Sequence, residues 1–310
     1  MTLNGGHTFT DRARGAGPLV EHLATRHAHG TPDQWRERIE AGEVAVDGKR
    51  AFPDQVLRPG QEVAWSRPPW EEPEVDLGAV LLHEDEGILA VFKPRGLPTL
   101  PGAGFMDHTL LARVRRRFPE ARPMHRLGRG TSGLVLFAQT AQAAAFLQEA
   151  WRGRDIRKTY RALGTGACPR EAFRVEAPIG PVPHPRLGTL HAASPQGRPA
   201  ASDMRVLARG PDTTLFQVDI ETGRPHQIRI HLAWAGHPLA GDPLYGPGGL
   251  PLPDGASVPG EGGYWLHAHR LAFLHPLDGR PFHLEAPPPV PLALPGETVW
   301  DGLWDASNYL

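Results

Sequence analysis

The sequence predicts an α+β protein in which a mixed, largely antiparallel sheet domain follows a smaller amino-terminal module. Short apolar runs with strand-like composition recur after residue 80 and alternate with only a few helical segments. Glycine (36 residues) and proline (34 residues) are abundant, which favours many turns and short elements. A chain of 310 residues is long enough for about two domains, and an acidic, proline-rich linker at 67–79 separates 1–66 from 80–310.

Composition limits the classes of function. The single cysteine, Cys168, excludes an internal disulfide and a metal site built from cysteines. No apolar run approaches the length that crosses a membrane, and the start of the chain shows no apolar signal region. We therefore expect a cytoplasmic protein with no membrane contact.

The charge is unevenly distributed, although the formal net charge is only −1. Residues 62–87 carry eight acidic side chains against Arg67 alone, whereas residues 111–161 carry eleven arginines and Lys158 against three acidic residues, a local balance of +9. A basic block of this kind is typical of a surface that contacts phosphates. A solvated helical face is the alternative explanation for a charge run.

The first 66 residues predict two helices and a hairpin. We expect residues 1–17 to be frayed, because they are polar and contain glycine. Apolar spacing predicts a helix over 18–29, and Thr31-Pro32-Asp33 marks the start of a second helix. Segment 42–49 alternates around an Asp-Gly turn, which predicts a hairpin, and a Pro-Gly turn leads into a strand at 62–65.

The larger domain is organised around residues 124–138. A polar, glycine-rich turn with two arginines and two hydroxyls is followed by an apolar run that is too short for a buried helix, which predicts a buried strand. Before it, residues 80–98 predict two strands and a Pro/Gly corner, with a helix near 110–118. After it come an alanine-rich helix at 141–151, a strand at 157–163, loop-rich residues 164–212 and a closing strand at 266–276.

Residues 125–134 read His-Arg-Leu-Gly-Arg-Gly-Thr-Ser-Gly-Leu, which resembles His-Arg-Leu-Asp-x-x-Thr-Ser-Gly-Leu, the signature of the RluA-type RNA pseudouridine synthases. Further motifs agree in order. Segment 93–96 is similar to the family's Lys-Pro-x-Gly, and 158–160 to its Lys-x-Tyr. Segment 222–246 is similar to Thr-Gly-Arg-x-His-Gln-Ile-Arg-x-His followed by Gly-His-Pro-x-x-Gly-Asp-x-x-Tyr-Gly. The resemblance covers residues 80–290, and residues 1–66 resemble an S4-type RNA-binding module. The alternative for the module is a capping domain without RNA contact.

The resemblance implies conversion of uridine to pseudouridine in structured ribosomal or transfer RNA, with no cofactor or metal and no predicted protein partner. The target base is flipped out of its stack, detached from C1′, rotated and rejoined through C5. Tyr160 is then the stacking and acid/base candidate, and Arg229 the partner of a catalytic aspartate. The candidate RNA contacts are His125, Arg126, Arg129, Thr131, Ser132, Lys158, Arg224, His226 and Gln227.

Each assignment has a structural alternative. Tyr160 alone is typical of a half-buried strand residue, and Arg224 and Arg229 are possible ion-pair partners of Glu221 or Asp219. Thr131 and Ser132 are expected to hold the turn through side-chain-to-backbone bonds. The histidines show no ligand spacing such as His-Glu-x-x-His, so we expect strand and loop histidines rather than a metal site.

Gly128 stands where the family carries its catalytic aspartate, which acts at the sugar as base or nucleophile. Loss of a general base lowers a rate by ~10²–10⁴. Arg229 would lose its partner, and an unpaired buried charge costs roughly 3–5 kcal/mol. Water, an RNA phosphate or another carboxylate must then satisfy it, and Asp155 and Asp203 are the nearest candidates by motif placement. Three candidate functions remain: a synthase with a changed active site, an RNA-binding pseudoenzyme, and an enzyme that binds a dinucleotide.

The same substitution creates a dinucleotide-binding pattern, Gly-x-Gly-x-x-Gly, at Gly128, Gly130 and Gly133. That fingerprint requires a strand before it and a helix after it. Here a polar segment precedes it and a strand follows. The order is reversed, which disfavours the third candidate, a dinucleotide-dependent oxidoreductase.

Overall fold

The computed structural model describes residues 3–27, 30–253, 263–301 and 309–310. The chain divides into two units, Met1–Glu72 and Pro73–Leu310, and the division falls inside the segment 67–79. Helices and strands are mixed and the sheets are largely antiparallel, which confirms the predicted α+β class. No helix in the described ranges is both long and apolar enough to span a bilayer.

The first unit contains two helices and a sheet with strand order β1-β6-β3-β4, together with the short pair β2–β5. The helix α2 begins with a capping box, in which Thr31 and Gln34 satisfy each other's backbone N–H groups. Its elements are β1 His7–Arg12, β2 Gly17–Pro18, α1 Leu19–Arg26, α2 Pro32–Glu40, β3 Val44–Val46, β4 Lys49–Arg50, β5 Val56–Leu57 and β6 Glu62–Arg67.

The expectation that residues 1–17 are frayed is wrong for strand β1, and residues 1 and 2 lie outside the described ranges. Strand β1 pairs with β6 in antiparallel register from His7↔Arg67 to Arg12↔Glu62. The polar composition reflects an edge strand with one face in solvent, while Phe9 stacks on Trp65 with ring centroids 5.2 Å apart. The predicted helix over 18–29 is present as α1, and residues 28 and 29 lie outside the described ranges. The S4-type likeness of this unit stays a prediction.

The second unit is built on a long sheet whose strands follow the order β12-β15-β16-β11-β19-β10-β8-β7, with β20 beside β19 and β9 beside β10. The hairpins β13–β14 and β17–β18 are separate from it. The elements are β7 Val80–Glu84, β8 Ile88–Lys93, α3 Leu110–Arg117, β9 Arg122–Pro123, β10 Ser132–Ala138, α4 Ala141–Gly153, β11 Arg157–Thr165, β12 Ala172–Val175, β13 Ile179–His184, β14 Gly188–Ala193, β15 Ser202–Arg209, β16 Thr213–Ile220, α5 Gln227–Trp234, β17 Tyr245–Gly246, β18 Leu250–Pro251, β19 Leu266–Leu274 and β20 Pro281–Glu285.

The predicted buried strand is β10, and all seven of its residues are buried. Leu134 and Leu136 pack on one face with Leu147 of α4. Val135 and Phe137 pack on the opposite face with Val114 of α3. Because helices cover both faces, the strand is continuously apolar instead of alternating. This packing gives the polar turn in front of β10 a rigid support.

Strands β10 and β19 run parallel, and Gly133 lies opposite Ala268. A Cβ atom on Gly133 would lie 2.2 Å from the carbonyl oxygen of Ala268, and the residue has φ +113°. Only glycine tolerates both conditions. The third glycine of the apparent dinucleotide pattern is therefore explained by close strand packing, and a strand follows it instead of a helix. The structure rejects the nucleotide-binding interpretation.

Candidate active site

The turn before β10 is hydrogen-bonded to the Pro/Gly corner that follows β8. The Thr99 hydroxyl accepts a hydrogen bond from the backbone N–H of Leu127 at 3.2 Å and donates one to its carbonyl at 2.9 Å. The carbonyl of Arg129 accepts from the N–H of Gly96 at 2.8 Å, and the N–H of Thr131 donates to the carbonyl of Gly128 at 3.0 Å. The two motifs are thus joined through their backbones.

Lys93 reinforces this junction from inside the protein. Its side chain is fully buried, and Nζ donates to the carbonyls of Pro94, Leu97 and Arg129 at 2.8, 2.7 and 3.2 Å. Burial, followed by the charges of Arg129 and Arg95, lowers the pKa of Lys93 to about 7. Lys93 therefore links the Pro/Gly corner to the turn through hydrogen bonds to both.

Replacement of Lys93 by methionine is expected to lower the free energy of unfolding by about 3 kcal/mol, since the carbonyls of Pro94 and Leu97 lose their donor and that of Arg129 loses one of two. The lysine also makes stability depend on pH. Its folded pKa lies below the ordinary value of about 10.4, so between these values the unfolded chain binds a proton that the folded chain lacks. Stability gained from this group thus rises as pH rises from 7 towards 10.

Urea unfolding of wild type and Lys93→Met at pH 7, 8 and 9 measures both effects. The difference between the two proteins should widen with pH by up to about 1.4 kcal/mol per unit. Arg58→Met, at an exposed position in the first unit, is the matched control. The difference in unfolding free energy between wild type and Arg58→Met should stay the same at pH 7, 8 and 9. A difference between wild type and Lys93→Met that does not change with pH would contradict a lowered lysine pKa.

Gly128 is exposed and has an ordinary backbone conformation, so its identity is not imposed by the turn. A Cβ atom at this position would lie 3.3 Å from the hydroxyl of Tyr264 and 3.7 Å from that of Thr131. A side chain here would therefore project towards the buried Tyr264. The space that a family aspartate would enter is bounded by a phenol.

Arg229 has a different partner from the one expected. It lies on α5 with only 3% of its side chain exposed, and its Nε and Nη2 both donate to the carboxylate of Asp242 at 2.7 Å. Asp242 also accepts from the N–H groups of Leu244 and Tyr245. Burial acts to lower the pKa of Arg229, but the bonds to Asp242 raise it above its ordinary value. Of the three alternatives for Arg229, the structure shows another carboxylate, and this carboxylate is Asp242 instead of Asp155 or Asp203.

Asp155 and Asp203, the two carboxylates suggested as substitutes, are not the side chains that bond Arg229. Asp203 lies on β15 and bonds Arg174 at 2.8 Å in an exposed cluster with Glu221. Asp155 is exposed just after α4, where its carboxylate lies against Gly153. Neither Asp155 nor Asp203 is the partner of Arg229, and Glu221 and Asp219 are not either. The partner comes from the Gly-Asp-x-x-Tyr-Gly motif, 13 residues after the arginine.

Tyr160 is half-buried on β11, opposite Val218 on one side and Ala268 on the other. A bulge between Thr159 and Tyr160 interrupts the register with β19. Burial raises the pKa of Tyr160 to about 12, so the phenol stays protonated at neutral pH. Such a group can stack on a base and donate a proton or a hydrogen bond, which suits the predicted role.

His226 lies at the start of α5 with φ +56° and is joined to Tyr245. The Tyr245 hydroxyl donates to the carbonyl of His191 at 2.6 Å and lies 2.7 Å from Nδ1 of His226. Since a hydroxyl has one proton, Nδ1 must donate, which leaves Nε2 as an acceptor. Burial and then Arg229 lower the pKa of His226 to about 4, so the ring is neutral at pH 7.

Three of the residues predicted to contact RNA make hydrogen bonds within the protein. The Gln227 side chain is buried and its amide makes four bonds, with Thr222, Arg224, Ala201 and Ser202, which uses its hydrogen-bonding capacity. The Ser132 hydroxyl is buried and bonds Nδ1 of His267 at 2.9 Å, not the turn backbone. Nε2 of His125 accepts from the N–H of Leu136 while the ring stacks on Trp151. These bonds support the turn and α5, and RNA contact by the three side chains stays a prediction.

The arginines among the remaining predicted RNA contacts are exposed or half-buried. Arg126 is exposed, Arg224 is half-buried with its Nε donating to the carbonyl of Pro199 at 3.0 Å, and the Arg129 guanidinium lies 5.5 Å from the ring of Phe105.

Lys158 is largely buried, and burial followed by the charge of Arg154 lowers its pKa. Thr131 is buried and its hydroxyl lies 3.4 Å from that of Tyr264. The RNA contacts of these residues stay predictions.

The structure adds residues that sequence reasoning did not single out. Asp242 and Tyr245 belong to the Gly-Asp-x-x-Tyr-Gly motif, which begins 12 residues after Arg229 and carries the acidic side chain that the arginine needs. Lys93 opens the Lys-Pro-x-Gly motif, but the sequence assigned it no role, and Tyr264 gave no signal, since the roles of both residues arise from packing. Within the described ranges, no three His, Cys, Asp or Glu side chains gather closely enough to hold a metal ion.

Comparison with known proteins agrees with this geometry. Residues 87–234 match the RNA pseudouridylate synthase family. An uncharacterized RNA pseudouridine synthase of Synechocystis sp. is 44% identical over 89% of this chain and 96% of its own length. RNA pseudouridine synthase 5 of Oryza sativa is 39% identical over 87% and 83%. Ribosomal large subunit pseudouridine synthase D of Xanthomonas campestris is 37% identical over 82% and 80%.

A solved structure shares the fold. The human RNA pseudouridylate synthase domain containing 1 superposes with a TM-score of 0.53 at 24% identity, covering 70% of this chain and 86% of that one. Together with the motif order and with identities of 37–44% over most of the chain, these matches decide the family. The chain belongs to the RluA-type family of RNA pseudouridine synthases.

Proposed function

We propose that this protein is an RNA pseudouridine synthase that isomerises a uridine in structured RNA with no carboxylate at the family's aspartate position. The observation that carries the proposal is the Arg229–Asp242 pair. It keeps the motif arginine charged, buried and fixed in the absence of a side chain at Gly128, so the pocket stays assembled. A degenerate pocket with an unpaired buried arginine would instead be destabilised by several kcal/mol.

The remaining polar groups suit the handling of a flipped nucleotide. Tyr160 presents a protonated phenol from a rigid strand, and His226 presents a neutral ring whose Nε2 accepts. The exposed Arg126 supplies positive charge beside the turn, as binding of a phosphate backbone requires. Stacking and polar contacts offset the cost of extruding the base.

The proposed substrate is ribosomal or transfer RNA, acted on in the cytoplasm. The name of the Xanthomonas relative, a ribosomal large subunit enzyme, favours ribosomal RNA. The amino-terminal unit is proposed to add RNA contacts as an S4-like module. RNA binding without turnover is the second candidate function, because Gly128 supplies no group for chemistry.

The test is incubation of purified protein with unmodified transcripts of large-subunit ribosomal RNA and with transfer RNA, followed by nucleoside mass spectrometry. We expect new pseudouridine at a defined position in one pool, and none with a Tyr160→Leu control. Binding that weakens steeply with salt, with no pseudouridine in either pool, would support the binding-only function. No binding to either pool would refute both functions.

A further inference from the structure

The Tyr264 hydroxyl is the polar group nearest to the missing side chain. It lies 3.3 Å from the point that a Cβ atom of residue 128 would occupy. Gly128 itself is exposed, whereas Tyr264 is 2% exposed. The phenol thus lies beneath an exposed piece of backbone that carries no side chain to cover it.

Several contacts hold Tyr264 in this place. Its ring centroid lies 4.3 Å from Cζ of Arg229, and its carbonyl accepts from Nη2 of Arg95 at 2.8 Å. The preceding glycine packs against Gly241 so closely that a Cβ on Gly241 would lie 2.2 Å from the carbonyl oxygen of Gly263. The backbone before Tyr264 therefore lies against the backbone before Asp242, and the same packing positions the phenol and the arginine's partner.

The hydroxyl also has hydrogen-bonding capacity in reserve. A phenol both donates and accepts, and the separation between the Tyr264 and Thr131 hydroxyls is 3.4 Å, longer than a typical O–H···O bond of about 2.7–2.8 Å. The Tyr245 hydroxyl, in contrast, has two short bonds of 2.6 and 2.7 Å and is fully engaged. Of the two tyrosines around Arg229, Tyr264 is the one with a bond left to offer.

We propose that the Tyr264 hydroxyl hydrogen-bonds the ribose of the target uridine through the opening that Gly128 leaves, in the place of the family's aspartate side chain. Gly128 and Tyr264 then form a matched pair, in which the absence of one side chain gives substrate access to the other. This inference rests on the proposed synthase function, and it names a substrate-contacting residue for that function.

Single-turnover pseudouridine formation by Tyr264→Phe tests the contact. The phenyl ring keeps its place beside Arg229, so we expect an unchanged thermal midpoint and RNA dissociation constant within about threefold of wild type. The single-turnover rate should fall about 10- to 100-fold, the effect of one or two hydrogen bonds made in the transition state.

Two further variants separate the hydroxyl from the ring. Gly128→Ala places a methyl group over the hydroxyl, so its single-turnover rate should be at least fivefold below that of wild type. In the Tyr264→Phe background the same change should lower the rate little further, because the two changes remove the same contact. Gly128→Asp in the Tyr264→Phe background restores a polar group to the opening, and we expect it to recover part of the lost rate.

Each outcome decides between the claims. An active wild type whose rate is unaffected by Tyr264→Phe overturns this inference and leaves the proposed function standing. A slower Tyr264→Phe with a lowered thermal midpoint and a harmless Gly128→Ala assigns Tyr264 a structural role and also overturns it. A wild type that forms no pseudouridine in any RNA overturns the proposed function and this inference together.

Discussion

Replacement of Asp242 by alanine should lower the free energy of unfolding by about 3–5 kcal/mol and abolish activity. The carboxylate makes two 2.7 Å bonds to an arginine that is almost completely buried, so its removal leaves an uncompensated charge in the interior. It also removes the acceptor for the N–H groups of Leu244 and Tyr245. Urea unfolding of the two proteins at pH 7 measures the difference.

The chain offers a matched control for this prediction. Asp203 also bonds an arginine, Arg174, but that cluster is exposed, and exposed pairs contribute about 0.2–1 kcal/mol. Asp203→Ala should therefore change the free energy of unfolding by less than about 1 kcal/mol and leave pseudouridine formation intact. Comparable losses of unfolding free energy in Asp242→Ala and Asp203→Ala would show that the burial of Arg229 does not determine the size of the loss. Inactive Asp203→Ala would reopen Asp203 as a substitute carboxylate.

Tyr160→Phe should lower the single-turnover rate by about 10²–10³ with little change in RNA affinity, because it removes the acid/base group and keeps the stacking surface. Tyr160→Leu should weaken binding as well, since loss of base stacking costs about 1–3 kcal/mol. Rapid-quench assays with nucleoside mass spectrometry give the rates, and filter binding gives the affinities. A Tyr160→Phe variant with wild-type rate would reduce Tyr160 to a strand residue with no part in chemistry.

The dependence of rate on pH provides an independent check on Tyr160. Its pKa is raised to about 12, so the protonated phenol persists through the alkaline range and is lost only above that value. His226, with its pKa lowered to about 4, is neutral at every pH well above 4. The rate should therefore show no step from either group between pH 6 and 10. A step in this interval that disappears in Tyr160→Phe would contradict the raised pKa.

The amino-acid pattern determined the α+β class, the buried strand β10 and the polar turn in front of it, because these features depend on local periodicity and on turn chemistry. It also disfavoured the dinucleotide pattern on element order alone. Its failure at residues 1–17 has a clear cause. Strand β1 is polar, and it is held by backbone hydrogen bonds to β6. Such pairing with a distant segment leaves no local hydrophobic pattern in the sequence.

Tertiary structure alone decided the partners of buried polar groups. Arg229 could be assigned to Asp219, Glu221, Asp155 or Asp203 by sequence position, and the loop that carries Asp242 brings a different carboxylate to it. Gln227 and Ser132 looked like ligand-facing residues and are buried in bonds to the protein. Tyr264 reaches Gly128 across more than a hundred residues because two glycines let backbones touch. Pairings of this kind depend on close packing between distant segments, which periodicity in a single sequence does not encode.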